Sequence, residues 1–291
     1  MRVGAASEAR LAGLLRRCRY EVLPFAGTED EVAQHVPASF PVTVTASPRH
    51  GLEPTLLLTE TLARRGFSAV PHLAARLVED EAHLTDILLR LDAAGVTDVF
   101  VVAGDGSTPV GVFTDSLHLL TAISGLRGSG NVGGPSRVGV AGYPEGHPLI
   151  CDDELTQALL VKQSLGTYVV TQMCFEPAAV GRWIEHARRL GVRLPVYAGV
   201  PGPVERLQLL RVAARIGVGG SLRVLRKQHG GTTLVRTGSY RPDQLLDGLA
   251  SLDAASELAG LHVYTLGDVA GTERWRQEML DQLTEGEAGH G

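Results

Sequence analysis

Three observations predict a (β/α)8 barrel of the α/β class. Short apolar, β-branched runs alternate with longer amphipathic stretches. About eight such strand–helix units fit in a chain of this length. Polar residues recur just after the runs, where a barrel gathers its chemistry on one face. Strands separated by helices pair in parallel, because a parallel neighbour is reached only by a crossover. Periodicity does not reveal closure, so an open doubly wound sheet is the alternative architecture.

The elements follow in order. Leu11, Leu14 and Leu15, spaced i, i+3, i+4 and followed by Arg16 and Arg17, predict a short leading helix. Strands are predicted over Tyr20–Leu23, Val42–Thr45, Ser68–Val70, Asp98–Ala103, Arg137–Ala141, Tyr168–Thr171, Pro195–Ala198 and Leu261–Tyr264. Helical spacing lies between them over Pro54–Arg65, Asp80–Ala94, Thr114–Leu126, Asp153–Leu165, Pro177–Leu190 and Val204–Ile216, with closing helices over Asp243–Ala255 and Asp268–Thr284. Gly217-Val218-Gly219-Gly220 breaks the repeat, and an inserted helix and loop is expected near 217–240. No linker composition interrupts the chain, so one domain over 1–291 is expected, with a frayed end from Glu285 to Gly291.

The chain has 291 residues, is 44% hydrophobic and carries a formal charge of −5, without a basic stripe. That argues against nucleic acid or an anionic membrane as partner. Cys18, Cys151 and Cys174 have neither metal-ligand nor disulfide spacing. No leader pattern and no bilayer-length apolar run is present, so a soluble cytoplasmic protein acting on small molecules is expected. Oligomeric state is not encoded in any pattern here.

The densest polar cluster is Val140-Ala141-Gly142-Tyr143-Pro144-Glu145-Gly146-His147-Pro148, a loop between a predicted strand and a predicted helix. Reading the other strand ends gives Glu21 on the first, Thr45 closing the second, His72 after the third, Asp105 after the fourth and Gln172 after the sixth. Each has a plain reading: a surface glutamate, a packing histidine, a Gly-Asp-Gly turn, a helix-capping amide. Their shared position is what singles them out. Gly125–Gly130 follows a helix instead of a strand and Gly104–Thr108 lacks a lysine, so neither reads as a phosphate loop. His72, His147 and His262 lack a His-x-His partner on the first strand, which argues against a metal-dependent hydrolase.

These motifs resemble, in order, those of the methylenetetrahydrofolate reductase family: Tyr20-Glu21-Val22-Leu23-Pro24, Val44-Thr45, Pro71-His72-Leu73, Ala103-Gly104-Asp105, the Tyr143–Pro148 loop, Thr171-Gln172, and His262 with Tyr264-Thr265-Leu266. The resemblance spans about Glu21 to Asp268. It implies a reductase that opens 5,10-methylenetetrahydrofolate to a 5-iminium cation and delivers hydride to it from NADH or NADPH. In it Glu21 is the general acid, and Asp105 supplies negative charge near the cation and binds the pterin with Gln172. Thr45, His72, Gly104, Tyr143, His147 and Lys162 would line the flavin or dinucleotide side. A leucine among Leu207, Leu209 and Leu210, with Leu207 foremost, would touch folate or nicotinamide.

The departures fall on the flavin side. The second strand runs on as Thr45-Ala46-Ser47-Pro48-Arg49 where the family has a glycine-bearing loop, and the fourth loop is Val102-Ala103-Gly104-Asp105, without the family's arginine. Of the helical residues facing the flavin only Lys162 is retained. Losing charge-assisted contacts of about 1.5–3 kcal/mol each would cost orders of magnitude in affinity for a diphosphate. The expectation is a flavin-independent member with FAD absent. The alternatives are a conventional FAD enzyme whose flavin is held by Arg49, Lys162 or Arg127, and a non-catalytic folate-binding barrel.

Overall fold

A computed structural model of the chain describes residues 5–105, 108–130, 132–215 and 239–288. The inserted segment expected near 217–240 lies almost wholly outside these residues.

In chain order the elements are α1 (Ala5–Leu15), β1 (Cys18–Val22), α2 (Thr28–His35), β2 (Val42–Val44), α3 (Glu53–Arg64), β3 (Ala69–Ala74), α4 (Glu81–Ala93), β4 (Asp98–Val102), α5 (Ser116–Gly128), β5 (Arg137–Gly142), α6 (Asp152–Lys162) and β6 (Tyr168–Met173). There follow α7 (Pro177–Arg189), β7 (Val196–Pro201), β8 (Val204–Glu205), α8 (Arg206–Arg215), β9 (Ser239–Tyr240), α9 (Asp243–Ala250), β10 (Leu258–Tyr264) and α10 (Val269–Ala288). Eight strands close into a parallel barrel in the order β1-β10-β7-β6-β5-β4-β3-β2, while β8 and β9 form a separate antiparallel pair. The predicted (β/α)8 architecture is thus the observed one, and closure excludes the open sheet.

Local chemistry sets the boundaries. Asp80 and Asp115 cap α4 and α5 by accepting hydrogen bonds from backbone N–H groups of the first turn. Pro54 and Pro177 sit in the first turns of α3 and α7, where a missing N–H costs nothing. Helix α2 escapes the periodicity reading because it is short, acidic at its start and buries only Val32. Helix α10 continues beyond Thr284 to Ala288, into part of the expected frayed tail.

Two strand limits need correction. His72 and Gln172 were placed after their strands, but both lie within them, in β3 and β6. Pro71 reads as a strand stop, yet it holds register with Val44 in the β2–β3 ladder. The interior of a barrel accepts polar side chains, so a polar residue does not mark the strand's end. No helix among the described residues is long and apolar enough to cross a membrane.

Contacts group the chain into two compact units, one of residues 1–18, 142–157 and 171–291, the other of residues 19–141 and 158–170. The second holds a buried polar network. Arg19 on β1 donates to Asp98 on β4 at 3.1 Å and to the Tyr168 hydroxyl on β6 at 2.7 Å, and Tyr168 donates to Asp98 at 2.8 Å. These strands are not neighbours in the sheet, so the three side chains meet through the barrel interior. Arg137 adds a second charge 3.4 Å from Asp98. Burial, the largest influence, drives the Tyr168 hydroxyl pKa well above its ordinary value. Gly139 on β5 makes room for this ring: a Cβ there would lie 2.6 Å from two Tyr168 ring carbons.

Candidate active site

Side chains alternate along a strand, so Glu21 shares with Arg19 the interior face of β1, two residues nearer the carboxyl end. Thr43 on β2 is in register with Glu21 and presents the same face. Beyond it, His72 on β3 brings its Nε2 to 3.4 Å from Glu21 Oε2, too poorly aligned for a hydrogen bond. Each side chain of this pair is only 12% exposed. The His72 ring packs edge-on against Phe100 of β4, its register partner, with centroids 4.9 Å apart. Thr43 Oγ1 and His72 Nε2 are buried and make no hydrogen bond among the described residues. A largely buried carboxyl bordered by such polar atoms is an unusual interior, because buried polar groups are nearly always paired.

The remaining expected residues of this unit are placed as follows. Thr45, just past β2, donates its N–H to Val22 and accepts from the Thr55 hydroxyl, tying the strand end to α3. Gly104 has φ +92 and a Cβ there would stand 3.1 Å from Ala74 Cβ, so its identity is required by the turn itself. Asp105 follows it, exposed. Lys162 ends α6, and burial lowers its pKa against the opposing field of Asp115, the cap of α5. Arg127 lies in the last turn of α5.

In the other unit, Tyr143 and His147 of the loop after β5 meet edge-to-face at 5.3 Å, and His147 Nδ1 accepts from the Leu149 N–H. Glu145 accepts from the N–H groups of Phe175 and Glu176 at 2.6 and 2.8 Å, at the start of α7 where a carboxylate is favoured by the helix dipole. Its place in the Tyr143–Pro148 string therefore has a structural explanation. Gln172 points its amide into the interior. Its Nε2 is buried and makes no hydrogen bond among the described residues. Next to it, Tyr264 of β10 donates its hydroxyl to the Thr171 carbonyl at 3.1 Å.

An apolar cluster of Met173, Phe175, Val204 and Leu209, joined by Tyr240, Tyr264 and Leu266, lies beyond the ends of β6 and β7. Leu266 sits at φ 53, a strained conformation outside glycine, and its carbonyl accepts from Gln208. Of the three candidate leucines, Leu209 packs into this cluster while Leu207 is 66% exposed; the side chain of Leu210 is outside the described set. Phe175 and Tyr240 are not marked by the sequence, since isolated aromatics carry no periodic signal. No group of three or more His, Cys, Asp or Glu side chains among the described residues is arranged to hold a metal ion.

Residues 28–219 match the family model described as methylenetetrahydrofolate reductase. Among solved structures, the chain is similar to an uncharacterized protein from Clostridium thermocellum that binds two copies of 5-methyl-5,6,7,8-tetrahydrofolic acid, at 11% identity and a TM-score of 0.62, covering 92% of this chain and 98% of that one. It is also similar to oxaloacetate acetylhydrolase in complex with oxalate, at 8% identity and a TM-score of 0.52, covering 98% of this chain and 89% of that one. At such identities both likenesses speak for the barrel alone.

Proposed function

The chain belongs to the methylenetetrahydrofolate reductase family, and from that premise we propose that it reduces 5,10-methylenetetrahydrofolate to 5-methyltetrahydrofolate by direct hydride transfer from NADH or NADPH. The observation that carries this reading is Glu21, a carboxyl 12% exposed on the interior face of β1. The closed imidazolidine ring resists hydride. Protonating N10 breaks its bond to the bridging carbon and leaves a 5-iminium cation, and hydride added to that carbon gives the methyl group. A proton donor sheltered from water suits the first step. Asp105, on the turn after β4, supplies the negative charge that favours the cation. The Gln172 amide offers both a donor and an acceptor to the pterin edge, and its buried Nε2 gains a partner on binding. The Met173–Leu209 cluster provides an apolar surface for an aromatic ring of folate or nicotinamide. A folate ligand is the class bound by the Clostridium thermocellum relative.

The departures from the family's flavin-side residues support a reading without FAD. Ala103 stands in place of an arginine, Lys162 is placed in the field of Asp115, and Arg127 lies at the far end of α5 from its capped start. No step is therefore assigned to FAD. The test is an assay of NADH and NADPH oxidation with methylenetetrahydrofolate, with and without added FAD, beside the visible spectrum of the purified protein. Folate-dependent oxidation without added FAD by a colourless protein is expected. Stoichiometric flavin absorbance overturns the direct transfer, and no folate-dependent rate under any condition leaves a folate-binding barrel. In the same assay Gln172→Ala is expected to raise the folate KM by about tenfold, the worth of one good hydrogen bond, with a smaller change in kcat.

A further inference from the structure

We propose that His72 is a positioning residue that returns a proton to Glu21 after each turnover. The inference rests on the reductase reading above and assigns His72 to the acid in place of the dinucleotide side. The reaction consumes one proton per turnover, taken from Glu21 by N10. Glu21 must regain it before the next cycle, and its side chain and that of His72 are equally sheltered, each 12% exposed. His72 faces Glu21, with Nε2 at 3.4 Å from Oε2.

Three consecutive strands supply the arrangement. Glu21 on β1 and His72 on β3 flank β2, and the interior residue of β2 in register with Glu21 is Thr43. Thr43 is 1% exposed, and its hydroxyl oxygen, like His72 Nε2, is buried without a hydrogen-bond partner among the described residues. A hydroxyl donates and accepts at once, and imidazole gains a proton on one nitrogen as it loses one from the other; both are what a proton route needs. In the return step the Nε2–H bond breaks, the Oε2–H bond of Glu21 forms, and the ring takes its next proton from water. No electron is transferred. Phe100 holds the ring edge-on, which limits its rotation.

Arg19, Asp98, Tyr168 and Arg137 are bound to one another on the amino side of Glu21, and β2 contributes no ionisable side chain. Asp105 is exposed on the turn after β4. On β10, next to β1 in the sheet, His262 is buried with its ring 5.0 Å from Tyr264.

The experiment compares one turnover with many. His72→Asn is mixed rapidly with methylenetetrahydrofolate and excess NADH, and the first turnover and the steady state are recorded separately, with 5-methyltetrahydrofolate affinity measured by titration. A proton-return role leaves affinity and the first turnover within about twofold of the natural protein and lowers the steady-state rate by about 100-fold, the lower end of general acid–base effects. Added imidazole restores the steady state in His72→Gly. An unchanged steady state overturns the proposal, as does a first turnover reduced as much as the steady state, or a loss of folate affinity. An inactive natural protein fails the reductase reading itself and the return step with it. Independently of turnover, the His72 ring resonances are expected to shift in Glu21→Gln and in Thr43→Val; resonances unmoved by either overturn the coupling.

Discussion

Two layers of the same strands differ in one respect that separates structure from chemistry. Toward the amino ends, Arg19, Asp98 and Tyr168 form an ion-paired network in which both oxygens of Asp98 accept hydrogen bonds. Two residues further along β1, Glu21 faces His72 and Thr43, whose polar atoms are buried and unmet. A charge-paired network resists change, because removing Asp98 strands the Arg19 charge in a low dielectric. A layer whose Thr43 hydroxyl and His72 Nε2 make no hydrogen bond among the described residues contributes little to stability, and under the proposed function it is the layer that acts.

The comparison breaks most visibly at Glu21. Glu21→Gln preserves volume and removes the acid, so reduction is expected to fall by about 10²- to 10⁴-fold while folate affinity and unfolding midpoint stay near those of the natural protein. Equal loss of binding would make Glu21 a wall of the pocket. Below it, Asp98→Ala is expected to destabilise the fold by about 3–5 kcal/mol, since Arg19 is left buried without its carboxylate. Denaturant titration measures this, and the molecules that remain folded should reduce folate at an unchanged rate. A stable Asp98→Ala protein would mean that the network is replaceable.

Alkali sharpens the comparison at intermediate size. Burial pushes the Cys18 thiol from 9.0 up to about 12, and it raises Cys174 and Tyr168 as well. A raised folded pKa means that the unfolded chain ionises first. Stability is then fully present below pH 9 and drains away as pH climbs toward 12, by about 1.4 kcal/mol per pH unit for each such group. Thermal melts at pH 8 and pH 10 test this, and equal midpoints would contradict it. The smallest effect is expected at Thr43→Val, which replaces an unmet buried hydroxyl by a methyl of the same shape. Stability should be unchanged or rise by up to about 1 kcal/mol. A loss of more than that would show the hydroxyl to be satisfied, and the two layers to be alike.

Much of the candidate site is legible in the sequence because a barrel gathers polar residues at the ends of its strands. Glu21, Thr45, Asp105 and the Tyr143–His147 loop were located by being at strand ends, and the motif order identified the family that the match over residues 28–219 establishes. The less legible parts share one cause. His72 and Gln172 read as loop residues because a polar side chain inside a closed barrel breaks the apolar pattern by which strands are recognised. Glu145 reads as chemistry and turns out to cap a helix, since its partners, the N–H groups of Phe175 and Glu176, lie 30 and 31 residues away. Leu207 and Leu209 are equivalent in composition, and only the packing of α8 buries one and exposes the other.

The sequence by itself determined the alternation of strands and helices, the caps and prolines that begin the helices, and the catalytic candidates, because each depends on neighbours within a turn or two of chain. Tertiary structure alone decided that the sheet closes, that Arg19 finds Asp98 and Tyr168 across the interior, and that His72 stands beside Glu21 with Thr43 between their strands. Those contacts join residues tens of positions apart. They are created by strand order and register, which no local pattern encodes.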